Sequence, residues 1–589
     1  MLIDLLAVAA TYLLAVTVRT GARFDIPNVG GAIALALAAG VAQVIANWAF
    51  HVYRRDWSVA GLEDLVALAK ATGVVVVALL AFNVVSADHY LPFGAVLSGG
   101  AAVLIVEGAL RLRARWPQAV RAILARPDGR ATAIVVGAGT TGQLLARHLA
   151  GRADGYGIAC FVDDDPKKRG YYVRGIPVQG TVEELPALIE RHGASLVVIA
   201  TAHPSGELAR RVVERCEGSD VRVRAVSGFG LPEGDMSPLR SIGIEELLAR
   251  EPVDLDTEEA RALVRGRSVL VTGAAGSIGS ELCRRISRLE AKRMILLDTN
   301  ENGLHEVGLD LGGDVPREVL LGDIRDRRWL DRTLRDLRPD LVFHAAAYKH
   351  VPIIERQPLA GIATNALGTA NVVEAALAAG VEHLVFVSSD KAVAPVSVLG
   401  LTKRFGELLT IAAGREAGLP WTAVRFGNVL GSSGSVVPLF ARQLDRGGPV
   451  TLTDPDAMRY FMTIPEAAGL LVEGAAIARP GDLLVLEMGA PVPIAELARK
   501  MIRLRGLRVS DVEISEIGLR PGEKLTEQLL FPDEEVEGTA HPEVLRAASR
   551  AAAPTLVSLR ATVAALEERV AAADAAGAVA LLRSAVGTP

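Results

Sequence analysis

A short polar run after an apolar segment carries the residues of this 589-residue chain that are best suited to chemistry. Leu384–Val387 are apolar, and Ser389, Asp390 and Lys391 follow shortly after them. Lys403 lies farther along, near the start of the helix predicted to follow. A carboxyl group and an amine at a strand end can act as proton donor and proton acceptor toward a bound substrate. The alternative interpretation is an ordinary surface ion pair.

A glycine-rich segment predicts the element that positions these residues. Gly273-Ala-Ala-Gly-Ser-Ile-Gly279 follows the apolar strand Ser268–Thr272 and opens a helical pattern. Glycines in this context let the backbone approach a phosphate at a helix N-terminus. The next strand ends in Asp298, where a carboxylate would bind a ribose 2′-hydroxyl and repel a 2′-phosphate. The pattern favours NAD over NADP, and a dinucleotide site favours the catalytic interpretation of Asp390 and Lys391.

An earlier glycine-rich unit has the same local pattern. Gly137-Ala-Gly-Thr-Thr-Gly142 lies between the apolar segment 131–136 and a helical pattern, and Asp163, Asp164 and Asp165 end the next apolar stretch. We predict a Rossmann-like domain over residues 126–250. It either binds a nucleotide or serves as a structural spacer with an empty site.

Four apolar stretches predict a transmembrane region over residues 1–115. They cover residues 1–18, 29–50, 65–85 and 92–110, and each has roughly the 17–25 residues that cross a hydrocarbon core. Buried helices of a soluble domain would show more amphipathic alternation, and a cleaved signal peptide would begin with a basic segment. The mean hydropathy of the chain, +0.32, agrees with membrane insertion.

The distribution of Lys and Arg predicts the orientation. Six arginines follow the fourth stretch, between Arg111 and Arg130, whereas the loop 86–91 has no Lys or Arg. Because cytoplasmic loops are rich in these residues, we expect a multi-pass protein of the cytoplasmic membrane with its C-terminal part in the cytoplasm. Arg19 and Arg23 depart from the rule.

Six longer motifs connect the chain to a known family. They are 273–283 (Gly-Ala-Ala-Gly-Ser-Ile-Gly-Ser-Glu-Leu-Cys), 344–352 (His-Ala-Ala-Ala-Tyr-Lys-His-Val-Pro), 389–393 (Ser-Asp-Lys-Ala-Val), 425–438 (Arg-Phe-Gly-Asn-Val-Leu-Gly-Ser-Ser-Gly-Ser-Val-Val-Pro), 459–464 (Arg-Tyr-Phe-Met-Thr-Ile) and 518–524 (Gly-Leu-Arg-Pro-Gly-Glu-Lys). With them the chain resembles the membrane-anchored nucleotide-sugar 4,6-dehydratases of bacterial polysaccharide biosynthesis, the CapD-like family of the extended short-chain dehydrogenase/reductase superfamily.

The resemblance implies an α/β fold. A four-helix transmembrane region precedes two Rossmann-like doubly wound domains, of which the second has the extended short-chain dehydrogenase/reductase fold. We place the NAD-binding dehydratase domain, including a C-terminal substrate-binding part, at residues 262–540. Residues 541–589 are rich in alanine and predict a helical tail.

The resemblance also implies a reaction that leaves the redox state unchanged overall. Hydride leaves C4 of UDP-N-acetylglucosamine for NAD, water is lost across C5–C6, and the hydride returns to C6. Lys391 would be the base that takes the C5 proton, and nearby positive charge would favour the neutral amine that this role needs. Asp390 would be the acid for the C6 hydroxyl. Ser389 would bind the 4-oxygen, and Lys403 the nicotinamide ribose. The residues implied to hold NAD are Gly273, Gly276, Ser277, Ile278, Gly279, Asp298, Asp323, Ile324, Ala345, Ala346 and Lys403.

One position departs from the superfamily pattern. The superfamily places a tyrosine base four residues before the lysine that corresponds to Lys403, and this chain has Leu399 there. Leucine cannot carry a proton, although long members of the family commonly have methionine at this place. The group that deprotonates the sugar 4-hydroxyl therefore stays open.

The substrate-binding candidates are polar residues of the longer motifs. Arginine suits bidentate contacts with a diphosphate, and a carboxylate suits a uridine ribose hydroxyl. The candidates are Lys349, Asn428, Arg459, Arg520 and Glu523. The alternative for each charged candidate is a surface salt bridge.

Composition and spacing limit the other functions. The net charge of -5 gives no case for nucleic-acid binding, and three distant cysteines exclude a disulfide scaffold or a cysteine-rich zinc site. His344 and His350 lack a carboxylate at ligand spacing, so we expect no metal.

We expect a homo-oligomer. The competing hypotheses are a nucleotide-sugar 4-epimerase, which normally keeps the tyrosine, and a non-catalytic NAD-sensing membrane scaffold.

Overall fold

The fold is taken from a computed structural model of the chain. The residues that it describes are 1–19, 29–54, 57, 62–86, 92–113, 132–150, 157–201, 206–216, 218–219, 221–226, 239–241, 257–311, 315–505, 507–550 and 553–587. The chain divides into two compact units, Met1–Gly129 and Arg130–Pro589.

The first unit consists of helices that are long and apolar enough to cross a membrane, as the sequence predicted. They are α1 (Leu2–Arg19), α2 (Val29–Ala49), α3 (Leu62–Val85) and α4 (Phe93–Leu112), and a short 3-10 turn covers Val52–Arg54. Large apolar side chains such as Leu14 face outward. Small residues allow close helix packing, since a Cβ at Gly99 would lie 2.5 Å from the ring of Tyr12.

Polar side chains lie inside this helical unit, which the sequence did not predict. The Glu107 carboxylate has no exposed surface and accepts hydrogen bonds of 3.0 and 3.1 Å from Asn47. Gln43 donates to the same carboxylate at 3.4 Å. Arg111 reaches Asp4 at 3.4 Å. Polar groups in an apolar environment are costly unless they are paired, and here they bind helices to one another.

A seven-stranded sheet begins the second unit. Its order is β3-β4-β2-β1-β5-β6-β7, and β1 lies between the parallel neighbours β2 and β5. The strands are β1 (Thr132–Val136), β2 (Gly157–Val162), β3 (Tyr172–Val173), β4 (Ile176–Gly180), β5 (Ala194–Ile199), β6 (Arg222–Val226) and β7 (Leu239–Ser241). Helices Thr140–Ala150, Leu185–His192 and Gly206–Arg215 accompany them, with 3-10 turns at Pro166–Lys168 and Val182–Glu184. Apolar residues fill the central strands because helices cover a parallel sheet on both faces.

The larger sheet has nine strands in the order β10-β9-β8-β11-β12-β13-β18-β22-β21. They are β8 (Ser268–Thr272), β9 (Arg293–Asp298), β10 (Arg317–Leu321), β11 (Leu341–His344), β12 (His383–Val387), β13 (Thr422–Arg425), β18 (Asp482–Leu486), β21 (Glu534–Gly538) and β22 (Val544–Ser549). The order reverses between β8 and β11, and ligands of such sheets bind at the carboxyl ends of the strands at this point. The α/β prediction is confirmed.

Helices and small strand pairs complete this part of the chain. The helices are Glu258–Val264, Ser277–Arg288, Glu301–Asp310, Arg327–Leu337, Val351–Arg356, Pro358–Gly361, Gly368–Ala379, Val398–Ala417, Val436–Asp445, Ile464–Ile477, Ile494–Leu504, Leu556–Ala571 and Ala575–Ala585, with a π-helix at Ile362–Leu367 and 3-10 turns at Asp390–Ala392 and Val509–Asp511. The pairs are β14 (Asn428–Val429) with β17 (Phe461–Met462), β15 (Val450–Leu452) with β20 (Ile514–Glu516), and β16 (Met458–Arg459) with β19 (Val492–Pro493).

The C-terminal segment continues the larger sheet. We predicted the end of the dehydratase domain at residue 540, whereas β22 extends the sheet to Ser549. Leu559, Leu566 and Leu582 of the two final helices are buried in the same core as the sheet. The helices Leu556–Ala571 and Ala575–Ala585 pack on the core because their leucines form an apolar face.

Candidate functional site

The glycine-rich loop after β8 forms a close-packed cradle. Gly273 has a φ of +71°, and a Cβ there would lie 2.6 Å from the backbone nitrogen of Ala346. A Cβ at Gly279 would lie 2.0 Å from the carbonyl oxygen of Gly273. The following helix starts at Ser277, with Gly276 before it. Side chains are excluded here, so backbone N–H groups of the helix N-terminus can approach a phosphate directly.

Asp298 is held against this loop. Its Oδ2 accepts a hydrogen bond of 3.0 Å from the nitrogen of Ala275, and its Oδ1 accepts one of 2.9 Å from the nitrogen of Asn300. The carboxylate thus lies at the end of β9 beside the glycines. This is where the ribose of a bound dinucleotide meets an acidic residue in such folds.

The other predicted cofactor residues follow neighbouring strands. Asp323 follows β10, where Arg325 lowers the pKa of its carboxyl group by a hydrogen bond of 2.8 Å. Ile324 is buried. Ala345 donates to the carbonyl oxygen of Thr272 at 3.0 Å, and Ala346 donates to its side-chain oxygen at 3.4 Å. These residues share the carboxyl edge of the sheet with the cradle, because their strands are parallel neighbours of β8 and β9.

The earlier glycine-rich unit has the same acid-to-loop contact. Asp163 Oδ2 accepts from the nitrogen of Ala138 at 2.8 Å, and Oδ1 accepts from the nitrogen of Asp165 at 3.0 Å. Lys168 also donates to this carboxylate at 2.8 Å. The local geometry therefore matches that around Asp298, with a lysine added, and both hypotheses for this unit stay open.

Asp390 and Lys391 form a close pair at the end of β12. Lys391 Nζ lies 2.9 Å from Asp390 Oδ1 and 3.1 Å from Asn428 Oδ1. Ser389 Oγ donates to the same Asp390 oxygen at 2.8 Å. Asp390 has no exposed surface, and its Oδ2 has no hydrogen-bond partner within the described residues. The Lys391 side chain is 21% exposed, so the pair is open to a substrate from one side.

The charges around Lys391 differ from the expectation. We expected nearby positive charge, but the groups that approach Nζ are the oxygens of Asp390, Asn428 and, at 3.9 Å, Glu527. Our sequence reasoning missed Glu527. Its only sequence signal is its place three residues after Lys524, which ends the motif 518–524.

Lys403 and His344 are buried beneath the strand ends. Lys403 Nζ donates to the carbonyl oxygen of Val387 at 2.8 Å and lies 4.9 Å from the ring centroid of Phe386. Burial lowers the pKa of Lys403 to about 8. Burial also lowers the pKa of His344 to about 3, and the positive charge of Lys403 acts in the same direction. The imidazole of His344 is therefore neutral.

His344 and Leu399 both have structural roles. The ring nitrogens of His344 bind the hydroxyls of Thr272 at 2.7 Å and Thr369 at 2.9 Å, which ties β8 to a neighbouring helix. Leu399 is buried in the apolar core. Within the described residues, no group of three His, Cys, Asp or Glu side chains could hold a metal ion.

The substrate-binding candidates do not form one cluster of free side chains. Asn428 contacts Lys391. Arg459 donates to the carbonyl oxygens of Met458 at 2.6 Å, Leu525 at 2.8 Å and Lys524 at 2.7 Å, so both its terminal nitrogens are engaged.

The remaining candidates lie near the surface. Glu523 Oε2 accepts from the backbone nitrogen of Arg520 at 3.2 Å, within one turn. Arg520 is partly exposed, and Lys349 is exposed after β11. The diphosphate and ribose roles of these residues stay predictions.

A buried ionic network lies behind the strand ends. Arg425 pairs with Glu407 at 2.7 Å and with Glu534 at 2.7 Å, and the three side chains are at most 1% exposed. Arg404 also pairs with Glu407, at 2.9 Å. Burial alone would raise the pKa of Glu407, but the two guanidinium groups hold it below its usual value. The network joins β13 and helix Val398–Ala417 to the start of β21.

Comparisons with known proteins agree with the motifs. Residues 269–549 match a family described as polysaccharide biosynthesis protein, and residues 48–227 match a CoA-binding domain. The probable polysaccharide biosynthesis protein EpsC of Bacillus subtilis is 36% identical over 494 residues, which cover 82% of each chain. The capsular polysaccharide biosynthesis protein CapD of Staphylococcus aureus is 35% identical over 511 residues, which cover 84% of each.

Solved structures give weaker matches. DesIV, a dTDP-glucose 4,6-dehydratase of Streptomyces venezuelae solved with NAD and TYD bound, is 27% identical, with 45% of this chain and 88% of that chain covered and a TM-score of 0.41. The likeness to EpsC and CapD extends over more than four fifths of both chains. The chain therefore belongs to the CapD/EpsC-like family of polysaccharide biosynthesis proteins.

Proposed function

We propose that this protein is an NAD-dependent nucleotide-sugar 4,6-dehydratase that acts on UDP-N-acetylglucosamine. The observation that carries the proposal is the 2.9 Å contact between Asp390 and Lys391 at the strand end, with a buried leucine at position 399. An elimination needs an acid and a base at adjacent carbons, and this pair supplies both.

The residues present fit NAD. Any side chain at Gly273 or Gly279 would fill the cradle that a diphosphate needs. Asp298 is fixed beside the loop for a ribose diol. Lys403 lies under the strand end, toward which the nicotinamide half would extend. When bound, NAD would accept hydride from C4 and return it to C6.

The closeness of Asp390 and Lys391 would let one pair serve both steps. As an ammonium and a carboxylate, the pair is inactive as base and acid. Once Nζ has lost a proton, Oδ1 can take up the proton that the sugar 4-hydroxyl releases when C4 is oxidised, which gives an amine and a carboxylic acid. Lys391 can then accept the C5 proton, and Asp390 can give its proton to the C6 hydroxyl, which leaves as water.

The proton balance suggests an answer to the question that Leu399 raises. The sugar 4-hydroxyl releases one proton when C4 is oxidised, Asp390 gives up one proton with the water, and Lys391 returns its proton to C5 when the hydride reaches C6. Ser389 Oγ is bonded to Asp390 at 2.8 Å and can pass the 4-hydroxyl proton to the Asp390 carboxylate before the water leaves. No tyrosine is needed in this scheme.

The test is a product assay on the purified full chain. Incubated with NAD and UDP-N-acetylglucosamine, it should form a product lighter by one water, with no added reductant. A product of unchanged mass but altered sugar would indicate a 4-epimerase. No product from any UDP-sugar tested would favour the non-catalytic scaffold.

The membrane arrangement is part of the same proposal. The apolar helices α1–α4 would anchor the protein in the cytoplasmic membrane, and the second unit would lie in the cytoplasm, where UDP-sugars are made. We also propose that the protein forms a homo-oligomer.

A further inference from the structure

Glu527 is a buried carboxylate beside the Asp390–Lys391 pair, and the reaction described above does not use it. It is 3% exposed. Its Oε1 lies 3.9 Å from Lys391 Nζ, and its Oε2 lies 3.4 Å from Lys524 Nζ. Oε2 has no hydrogen-bond partner within the described residues. A buried carboxylate with incomplete hydrogen bonding is costly to folding, which requires an explanation.

The chain holds this carboxylate in place from two sides. Arg459 donates to the carbonyl oxygens of Lys524 and Leu525, and the nitrogen of Met458 donates to Leu525 at 3.0 Å. On the other side, Lys524 Nζ donates to the carbonyl oxygen of Val393 at 2.7 Å. Val393 directly follows the 3-10 turn that contains Asp390 and Lys391. The segment 524–527 is thus fixed to the turn that carries the pair.

We propose that Glu527 is a positioning residue for Lys391, an inference that rests on the proposed dehydratase function. When Lys391 accepts the C5 proton, Asp390 still carries its own proton and is neutral. At that moment Glu527 is the neighbouring carboxylate that can balance the new ammonium charge.

The charged and polar groups that face Lys391 Nζ limit the interpretation. They are Asp390 and Asn428, with Glu527 and its second partner Lys524. If Glu527 served only Lys524, it would be a structural ion pair, and its removal would not affect the protonation of Lys391. The two roles therefore differ in a measurable way.

The decisive variant is Glu527→Gln, which keeps the shape and removes the charge. The fraction of Lys391 acetylated by acetic anhydride, read by mass spectrometry across pH, gives the pH midpoint at which the amine becomes reactive. We expect this midpoint to fall by about one pH unit, because a carboxylate within about 4–6 Å favours the charged form. We also expect kcat to fall tenfold or more, with KM changed less than about threefold.

Matched controls separate this role from folding. Glu534→Gln removes another buried carboxylate, which pairs with Arg425 and not with Lys391, and should lower thermal stability without moving the midpoint. Glu537→Gln, on an exposed position, should change nothing. An unchanged midpoint in folded Glu527→Gln would overturn the proposal.

A second variant covers a failure of Glu527→Gln to fold. Lys524→Met frees Glu527 from its other partner, so the Lys391 midpoint should rise, and an unmoved midpoint would count against the proposal. The labelling requires no turnover. A protein that shows the midpoint shift but forms no dehydrated product would keep the Glu527–Lys391 coupling and refute the dehydratase function instead.

Discussion

Ser388 Oγ donates a hydrogen bond of 2.6 Å to Glu407 Oε1, a carboxylate with no exposed surface. Ser388 is the residue after β12 and precedes the candidate catalytic residues by one position. The same Glu407 oxygen accepts from Arg425 at 2.7 Å. The strand end that carries Asp390 and Lys391 is therefore joined to the buried ionic network behind it.

Glu407→Gln should destabilise the second unit severely. The substitution leaves Arg425 buried with an incomplete set of carboxylate partners, and breaking a buried pair in this way typically costs about 3–5 kcal/mol. Urea unfolding followed by tryptophan fluorescence measures the loss. Glu416→Gln, exposed on the same helix, is the control and should change the free energy of unfolding by less than about 0.5 kcal/mol. A similar small effect for both variants would contradict this account of the network.

Lys403 should make stability depend on pH in the alkaline range. Its pKa is lowered to about 8 in the folded protein, against about 10.4 in an unfolded chain. Between these values the unfolded chain binds a proton that the folded chain does not, so stability rises with pH. Relative to Lys403→Met, the wild type without NAD should therefore gain thermal stability from about pH 8 to about pH 10. Parallel curves for the two proteins would show that Lys403 is not desolvated.

Asp298 should determine the choice of cofactor. Asp298→Ala removes the carboxylate expected to bind the ribose and should weaken NAD binding by about 1.5–3 kcal/mol, the range for a hydrogen bond to a charged group. Calorimetric titration measures the affinity, with Glu301→Ala, an exposed acid nearby, as control. A wild-type preference for NADP would show that the interpretation of Asp298 is wrong.

Substitutions of Lys391 and Asp390 should affect different steps of the reaction. Lys391→Ala should abolish both product formation and exchange of the C5 proton with deuterated solvent, while NAD binding stays intact. Asp390→Asn should slow water loss most, and C5 exchange, which needs only the 4-ketone and Lys391, should be slowed less. General acid–base catalysis contributes about 10²–10⁴-fold per group. Leu399→Met is the matched control, since neither side chain titrates and the volumes are similar. Near-normal turnover in Lys391→Ala would move the base to another residue.

The orientation in the membrane can be tested with single cysteines. A membrane-impermeant maleimide should label Ala87→Cys in intact cells, because the loop 86–91 is expected outside. It should label Glu537→Cys only after lysis, because the second unit is expected in the cytoplasm. The native residues Cys160, Cys216 and Cys283 are buried and should give little background. The reverse pattern would invert the topology.

Features that depend on local patterns could be predicted from the sequence. The apolar helices α1–α4 follow from runs of apolar residues, and the loop 273–279 from glycines between a strand and a helix. Both are confirmed in the structure, because backbone conformation and the length of an apolar run are set within a few neighbouring residues. The sequence could also propose Asp390 and Lys391 as a pair, since they are adjacent in the chain and follow a strand, and their catalytic role stays a prediction.

Contacts between distant parts of the chain were decided by the tertiary structure alone. In the sequence, Glu407, Glu527 and Glu534 look like solvated surface acids, because charged residues are seldom fully buried. Folding places Glu527 beside Lys391 and pairs Arg425 with two of these carboxylates. It also turns Arg459 toward backbone carbonyl oxygens. Partners that lie 18 or more positions away along the chain leave no local pattern, so these charges acquire their roles only when the strands are brought together.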